Sequence, residues 1–282
     1  MQVRLIAVDL DGTVLRGNGA ISRATRRALA LARRRGAVVC VATGRAPLGA
    51  RHYARVLGAH GPLISLDGAI VLDGERRLVD RPLPRQCAAE AAGLAEELAG
   101  GWIALTASGR VHGGPSRRPP QASLGQVLRH PGRSLRFLRT VWREDHRWSA
   151  AIPEEPVYKL LLWAPAGPAR LALDREIRRM PVHVPSTSGT TTMEVVATGV
   201  TKGHALAVVA EALGVRASEI VAFGDARNDI EMLAFAGYGV AMGGAPSELL
   251  KVAAAQTESV QDDGLARELR RLLQRQLLEA DY

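Results

Sequence analysis

Asp9 and Asp11 stand one residue apart in VDLDGT, directly after the apolar run LIAV. Two carboxylates this close repel, and their joint ionisation is disfavoured unless a cation or a proton lies between them. Alone, such a pair also fits a solvated turn in which Asp caps a helix. A second pair, Asp225 and Asp229 in GDARND, shifts the balance, because it too follows an apolar run, IVAF. Four acids at two strand tips are better explained as a divalent metal site than as four independent caps. Mg²⁺ suits carboxylate oxygens and completes its shell with water and phosphate.

Two further segments offer what an anion needs. Thr43 and Gly44 in VCVATGR close another apolar run. A hydroxyl and free backbone amides there can hold a phosphoryl oxygen, or can form an ordinary threonine turn. Lys202 in VTKGHA opens a helix, where the dipole favours an anion and the ammonium adds charge. The alternative is a solvated surface lysine. Among 37 Lys+Arg only Lys159, Lys202 and Lys251 are lysines, so a retained compact ammonium stands out.

The elements that must position these residues can be read from the pattern. Strands are expected at Arg4–Val8, Ala37–Ala42, Leu63–Ser65, Ile220–Phe223 and Gly239–Met242, with a strand pair around Ile70–Leu78. Helices are expected at Ile21–Arg35, Pro47–Leu57, Thr201–Leu213, Asn228–Ala236 and Leu265–Leu278, the first capped by Ser22 and ended by Gly36. The alternation predicts an α/β fold: a Rossmann-like, mostly parallel sheet with helices on both faces. In such sheets the ligand crevice lies at the carboxyl ends of the strands, where the four acids fall. The pattern breaks between two Pro-bearing stretches, DRPLPR (80–85) and VPSTSGTT (184–191). The expected division is a core of 1–81 and 190–282 and an inserted α+β domain of 82–189.

Composition narrows the function. The chain has 282 residues, 47% hydrophobic, 23% charged and 4% aromatic, with a formal charge of +9. The span 82–190 carries 15 Lys+Arg against 9 Asp+Glu, and the rest 22 against 19, so most of the positive excess is on the insert. Arg129, Arg133, Arg136, Arg139, Arg143 and Arg147 recur at helical spacing there, as a solvated basic face or as a surface that steers an anionic substrate. Cys40 and Cys87 form no CxxC and no Cys/His cluster, which gives no zinc site and no disulfide framework. LIAV is too short for a signal peptide and no apolar run approaches a bilayer span, so a cytoplasmic protein without a membrane partner is expected. No G-x-G-x-x-G follows the first strand, which removes a dinucleotide site.

DLDGT, the Thr of ATGR, the Lys of TKG and GDxxND together resemble, in order, the four motifs of the haloacid dehalogenase-like phosphatases. The insert between the second and third motifs resembles the type-2 cap of the Cof-like and sugar-phosphate phosphatases. The resemblance implies Asp9 as nucleophile and Asp11 as general acid and base. It implies Mg²⁺ held by Asp9, by Asp11 through its backbone carbonyl and by Asp225, with Asp229 supporting that shell. Thr43, Gly44 and Lys202 would cradle the phosphoryl group, and Asn228 would contact phosphate or substrate. Two positions depart from the subgroup: Asp67-Gly68-Ala69 replaces Asn-Gly-Ala, and Gly244 stands where Asn is usual.

The expected activity is Mg²⁺-dependent hydrolysis of a small phosphorylated metabolite through an aspartyl-phosphate, with the insert supplying specificity. A phosphomutase shares these motifs and is the alternative within enzymes. A nucleic-acid-binding module is the alternative outside them. It is motivated by the arginines, but the acids repel phosphate backbones and no aromatic stacking platform is visible.

Overall fold

The computed structural model describes residues 2–108, 111–113, 152–185 and 192–280, with the backbone alone at 111–112 and 276–280. The arginine series 129–147 and residues 186–191 of the second Pro-bearing stretch lie outside the described residues.

The elements, in chain order, are β1 (Leu5–Val8), α1 (Arg23–Arg34), β2 (Val38–Ala42), α2 (Pro47–Leu57), β3 (Leu63–Ser65), β4 (Ile70–Asp73) and β5 (Arg76–Asp80). Next come α3 (Arg85–Glu97), β6 (Gly101–Thr106), β7 (Val111–Gly113), β8 (Val157–Trp163), α4 (Pro168–Ile177), β9 (Val182–His183) and β10 (Thr192–Ala197). The chain closes with α5 (Lys202–Leu213), β11 (Ile220–Gly224), α6 (Ile230–Phe235), β12 (Tyr238–Ala241), α7 (Ser247–Leu250), β13 (Ala255–Gln256) and α8 (Gly264–Ala280). They form two compact units, one of 1–45, 49–79 and 201–282, the other of 46–48 and 80–200.

In the first unit eight strands run in the order β13-β12-β11-β1-β2-β3-β4-β5. The pairs from β13 to β3 are parallel, and β4 turns back antiparallel on β3. Every residue of β1 and β11 is buried, as strands covered on both faces require. One face carries Leu5, Ala7, Cys40, Ala42, Ile64 and Ala222 against Leu206 and Val209 of α5 and Met232 and Leu233 of α6. On α1 the expected cap is present: the Ser22 side chain accepts from the Thr25 N–H. Its buried stripe, Ala28, Leu29 and Ala32, follows the helical period.

Register decides where the chemistry lies. Val8 is level with Phe223 on one side and with Val41 on the other. Three neighbouring strands therefore end at one edge, and the segments holding Asp9, Asp225 and Thr43 leave the sheet together.

The second unit has an antiparallel sheet, β7-β6-β8-β10-β9, with α3 packed on β6 and β8. Trp102, Leu160, Leu162, Met193 and Val195 alternate onto one fully buried face. This unit extends from Asp80 to Val200, past the expected end at 189, because β10 pairs with β8 through Met193↔Leu162 and Val195↔Leu160. Lys159, on the opposite face of β8, is buried and pairs with Glu194 at 2.8 Å. Among the described residues no helix is long and apolar enough to cross a membrane.

Candidate active site

The site grows from the ends of β1, β2 and β11. Past Val8 the Asp9 N–H still donates to the Phe223 carbonyl at 3.0 Å, so the last rung of the ladder holds Asp9 beside β11. The chain then turns through Gly12, where φ is +95°. A Cβ there would stand 1.9 Å from Oδ2 of Asp225, so only glycine lets this turn approach that carboxylate. Thr13 Oγ1 donates to Asp225 Oδ1 at 3.1 Å and ties the two strand ends together.

Lys202 is the centre of the site. It is the first residue of α5, with Thr201 as N-cap, and it is 1% exposed. The expected alternative of a solvated lysine does not hold. Its Nζ donates to Asp9 Oδ1 and to Asp229 Oδ1, each at 2.7 Å. A buried ammonium is tolerated only with such charged partners. Asp229 is wholly buried, and its Oδ2 accepts the backbone N–H groups of Asp225 and Ala226, each at 3.0 Å. Both Asp229 oxygens are thus held by protein donors, and Asp229 shapes the turn that carries Asp225. That turn is a 3₁₀ segment, Arg227–Asp229, so the helix expected from Asn228 begins at Ile230.

The charges explain the titration of the site. Burial pushes the Asp9 carboxyl well above the ordinary carboxylate range, with Lys202 opposing and Asp229, Asp225 and Asp11 reinforcing. Burial disfavours the Lys202 ammonium, but Asp229, Asp9 and Asp67 outweigh it and hold the lysine well above its usual value. A single ammonium is shared among several carboxylates, which leaves negative charge in surplus. Asp9, Asp225 and Asp229 each bring an oxygen within 4.8 Å of the others. Oxygen donors with surplus negative charge fit a hard divalent cation.

Asp11 points elsewhere. Arg45 Nε donates to its Oδ2 and Arg45 Nη2 to its Oδ1, both at 2.7 Å. Asp11 opposes burial at Arg45 and raises the guanidinium pKa, and the Tyr53 ring lies 4.9 Å from Arg45 Cζ. The Asp11 side chain is therefore not one of the carboxylates that converge on Lys202.

Thr43 is buried after β2, with its Oγ1 accepting the Arg45 N–H at 3.3 Å, and Gly44 follows, half-buried. Asp67 reaches this turn through its N–H, which donates to the Thr43 carbonyl at 3.1 Å. Asn228 Nδ2 donates to Asp67 Oδ1 at 2.8 Å, so Asn228 joins the cluster through Asp67. Sequence reasoning passed over Arg45 and Thr13, although each adjoins a motif residue. For Arg45 the signal was its place directly after ATG.

The chain as a whole is similar to known proteins. A family model described as haloacid dehalogenase-like hydrolase matches residues 6–269. The chain is 28% identical over 283 residues to the 5-amino-6-(5-phospho-D-ribitylamino)uracil phosphatase YcsE of Bacillus subtilis, covering 96% of each. It is 32% identical over 254 residues to the HMP-PP phosphatase of Serratia proteamaculans, covering 87% of this chain and 86% of that one. A solved haloacid dehalogenase-like hydrolase from B. subtilis superposes with a TM-score of 0.80 at 25% identity, over 96% of this chain and 100% of the other.

Proposed function

The chain belongs to the haloacid dehalogenase-like hydrolase family, a phosphatase by its relatives, and on that premise we propose that it is a Mg²⁺-dependent phosphatase of a small phosphorylated metabolite, working through an aspartyl-phosphate. The observation that carries this reading is Lys202, buried between Asp9 and Asp229 at 2.7 Å from each, with Asp225 completing an acidic group.

In this reading Asp9 attacks phosphorus. Its carboxylate oxygen forms a bond to phosphorus as the bond to the ester oxygen breaks, and Asp11 delivers a proton to the departing oxygen. Water then attacks the aspartyl-phosphate, Asp11 takes its proton, and inorganic phosphate leaves. Lys202, the Thr43 hydroxyl and the Gly44 amide hold the phosphoryl oxygens and offset their charge. Asn228 contacts phosphate or substrate. Asp9, the Asp11 backbone carbonyl and Asp225 would hold Mg²⁺, with Asp229 fixing the turn behind them. Bound there, the ion would neutralise phosphoryl charge and the repulsion between the acids. The insert, expected at 82–189, is the cap that selects the substrate and excludes water.

The test is phosphate release from a panel of phosphorylated metabolites, with Mg²⁺ and with chelator, for the native chain and Asp9→Asn. The panel includes the substrates named for the two relatives. Release that needs Mg²⁺ and is abolished in Asp9→Asn is expected. Equal release by Asp9→Asn removes the nucleophile assignment, and a requirement for a bisphosphorylated sugar cofactor points to a mutase instead.

A further inference from the structure

We propose that Asp67 is a positioning residue that sets which end of the Asn228 amide faces the substrate, so that Asn228 reads a hydrogen-bond donor, a hydroxyl or amine close to the phosphoester, rather than a phosphoryl oxygen. This inference rests on the phosphatase reading above.

Asn228 Nδ2 donates to Asp67 Oδ1 at 2.8 Å. A carboxylate offers only acceptors, whereas an amide has a donor end and an acceptor end. Turned about, the amide would set its own oxygen against the Asp67 oxygen. The NH₂ end is therefore turned toward Asp67, with one of its two N–H groups donated there, and Oδ1 lies on the other side of the amide carbon. Among the described residues Oδ1 accepts no hydrogen bond, and it is not sealed among the buried unpaired polar atoms. It is an acceptor left for a bound group to satisfy.

Asp67 is held too firmly to follow the amide if it turned. It is 1% exposed and lies in a left-handed turn, with φ of 50° at Leu66, 57° at Asp67 and 101° at Gly68. Its N–H is bound to the Thr43 carbonyl at 3.1 Å. Behind it, a Cβ on Gly68 would stand 2.4 Å from the Thr201 carbonyl oxygen, so the turn is wedged against the start of α5. The charge of Asp67 also bears on Lys202.

The chemical consequence follows from sign. A carbonyl oxygen repels phosphoryl oxygens, and the group that satisfies it is an O–H or N–H. The substrate class this favours is a phosphomonoester of a hydroxylated carbon chain, such as a sugar or polyol phosphate. An asparagine at 67 would not impose this choice, because either amide of such a pair can donate to the other.

The test compares kcat/KM for glycerol 3-phosphate and n-propyl phosphate, which share a carbon chain and differ in hydroxyls, with p-nitrophenyl phosphate as a substrate that has no donor. The native enzyme is expected to prefer glycerol 3-phosphate by about tenfold, the value of one hydrogen bond. Asp67→Asn is expected to lower that preference to about twofold, with its thermal unfolding near native because Asn tolerates left-handed backbone. The exchanged pair, Asp67→Asn with Asn228→Asp, again presents an acceptor and is expected to restore the preference. An unchanged preference in Asp67→Asn, an equal fall on both substrates, or no recovery in the exchanged pair overturns the proposal. Native enzyme that hydrolyses p-nitrophenyl phosphate but shows no preference overturns this inference alone. Native enzyme inert on all three overturns the phosphatase reading with it.

Discussion

Arg45 grips Asp11 at both ends of its carboxylate, with Nε on Oδ2 and Nη2 on Oδ1 and 2.7 Å at each contact. Such a fork is the strong form of the Arg–carboxylate pair and fixes orientation as well as charge. It also favours ionised Asp11, whereas the first half of the proposed reaction needs Asp11 with its proton.

The consequence is a pH effect of known sign. Arg45→Ala withdraws a positive charge from Asp11, so more Asp11 is protonated at a given pH. The alkaline limb of the kcat/KM profile should move upward, while kcat falls because the carboxylate is no longer held in place. Arg45→Lys, which keeps charge but loses the fork, should leave the limb nearer its native position. A profile that is identical in Arg45→Ala would separate Arg45 from the proton step.

Lys202 leads to a stability prediction. Lys202→Met keeps the volume of the stem but leaves Asp9 and Asp229 buried without their cation. Breaking a buried pair from one side costs about 3–5 kcal/mol, which urea unfolding in chelator should register. Added Mg²⁺ should recover part of the loss, since a ligand of the folded state stabilises it by mass action. A loss below about 1 kcal/mol would mean that the ammonium contributes no more than a surface pair.

Cys40 offers a test away from the site. It lies in the wholly buried middle of β2, and burial pushes its thiol up to about 12. Below pH 9 both folded and unfolded thiols keep their proton, and the full stability is present. As pH rises from 9 toward 12 the unfolded thiol ionises and the folded one does not, so stability attached to this residue is lost. The stability difference between native enzyme and Cys40→Ala, from urea unfolding at pH 8, 9 and 10, should shrink with pH by up to about 1.4 kcal/mol per unit. A difference independent of pH would show that the thiol is not held neutral.

Much of the core was readable because its signals are local. LIAV, VVCVA and IVAFG are continuous apolar runs, and a strand buried on both faces needs nothing else. Ser22 caps its helix from three residues away, and Thr201 likewise. The acids directly after β1 and β11 fall at strand ends in any parallel sheet, so their place at one edge of the sheet could be read from order alone. What was not readable depends on partners far along the chain. β10 belongs to the second sheet because it pairs with β8, and its own sequence carries no mark of that choice.

The sequence by itself determined the strand–helix alternation, the polar residues that must end the strands, and Lys202 at a helix start. Tertiary structure alone decided that Lys202 is buried, that Asp11 turns to Arg45, and that Asp67 meets Asn228 across 161 positions. The reason is physical. Propensity and hydrophobic period act over a few residues, whereas a side chain's partner is set by strand register and by which neighbours fill the space around it. Val8 stands level with both Phe223 and Val41 only in the assembled sheet, and that alignment makes three separate turns one site.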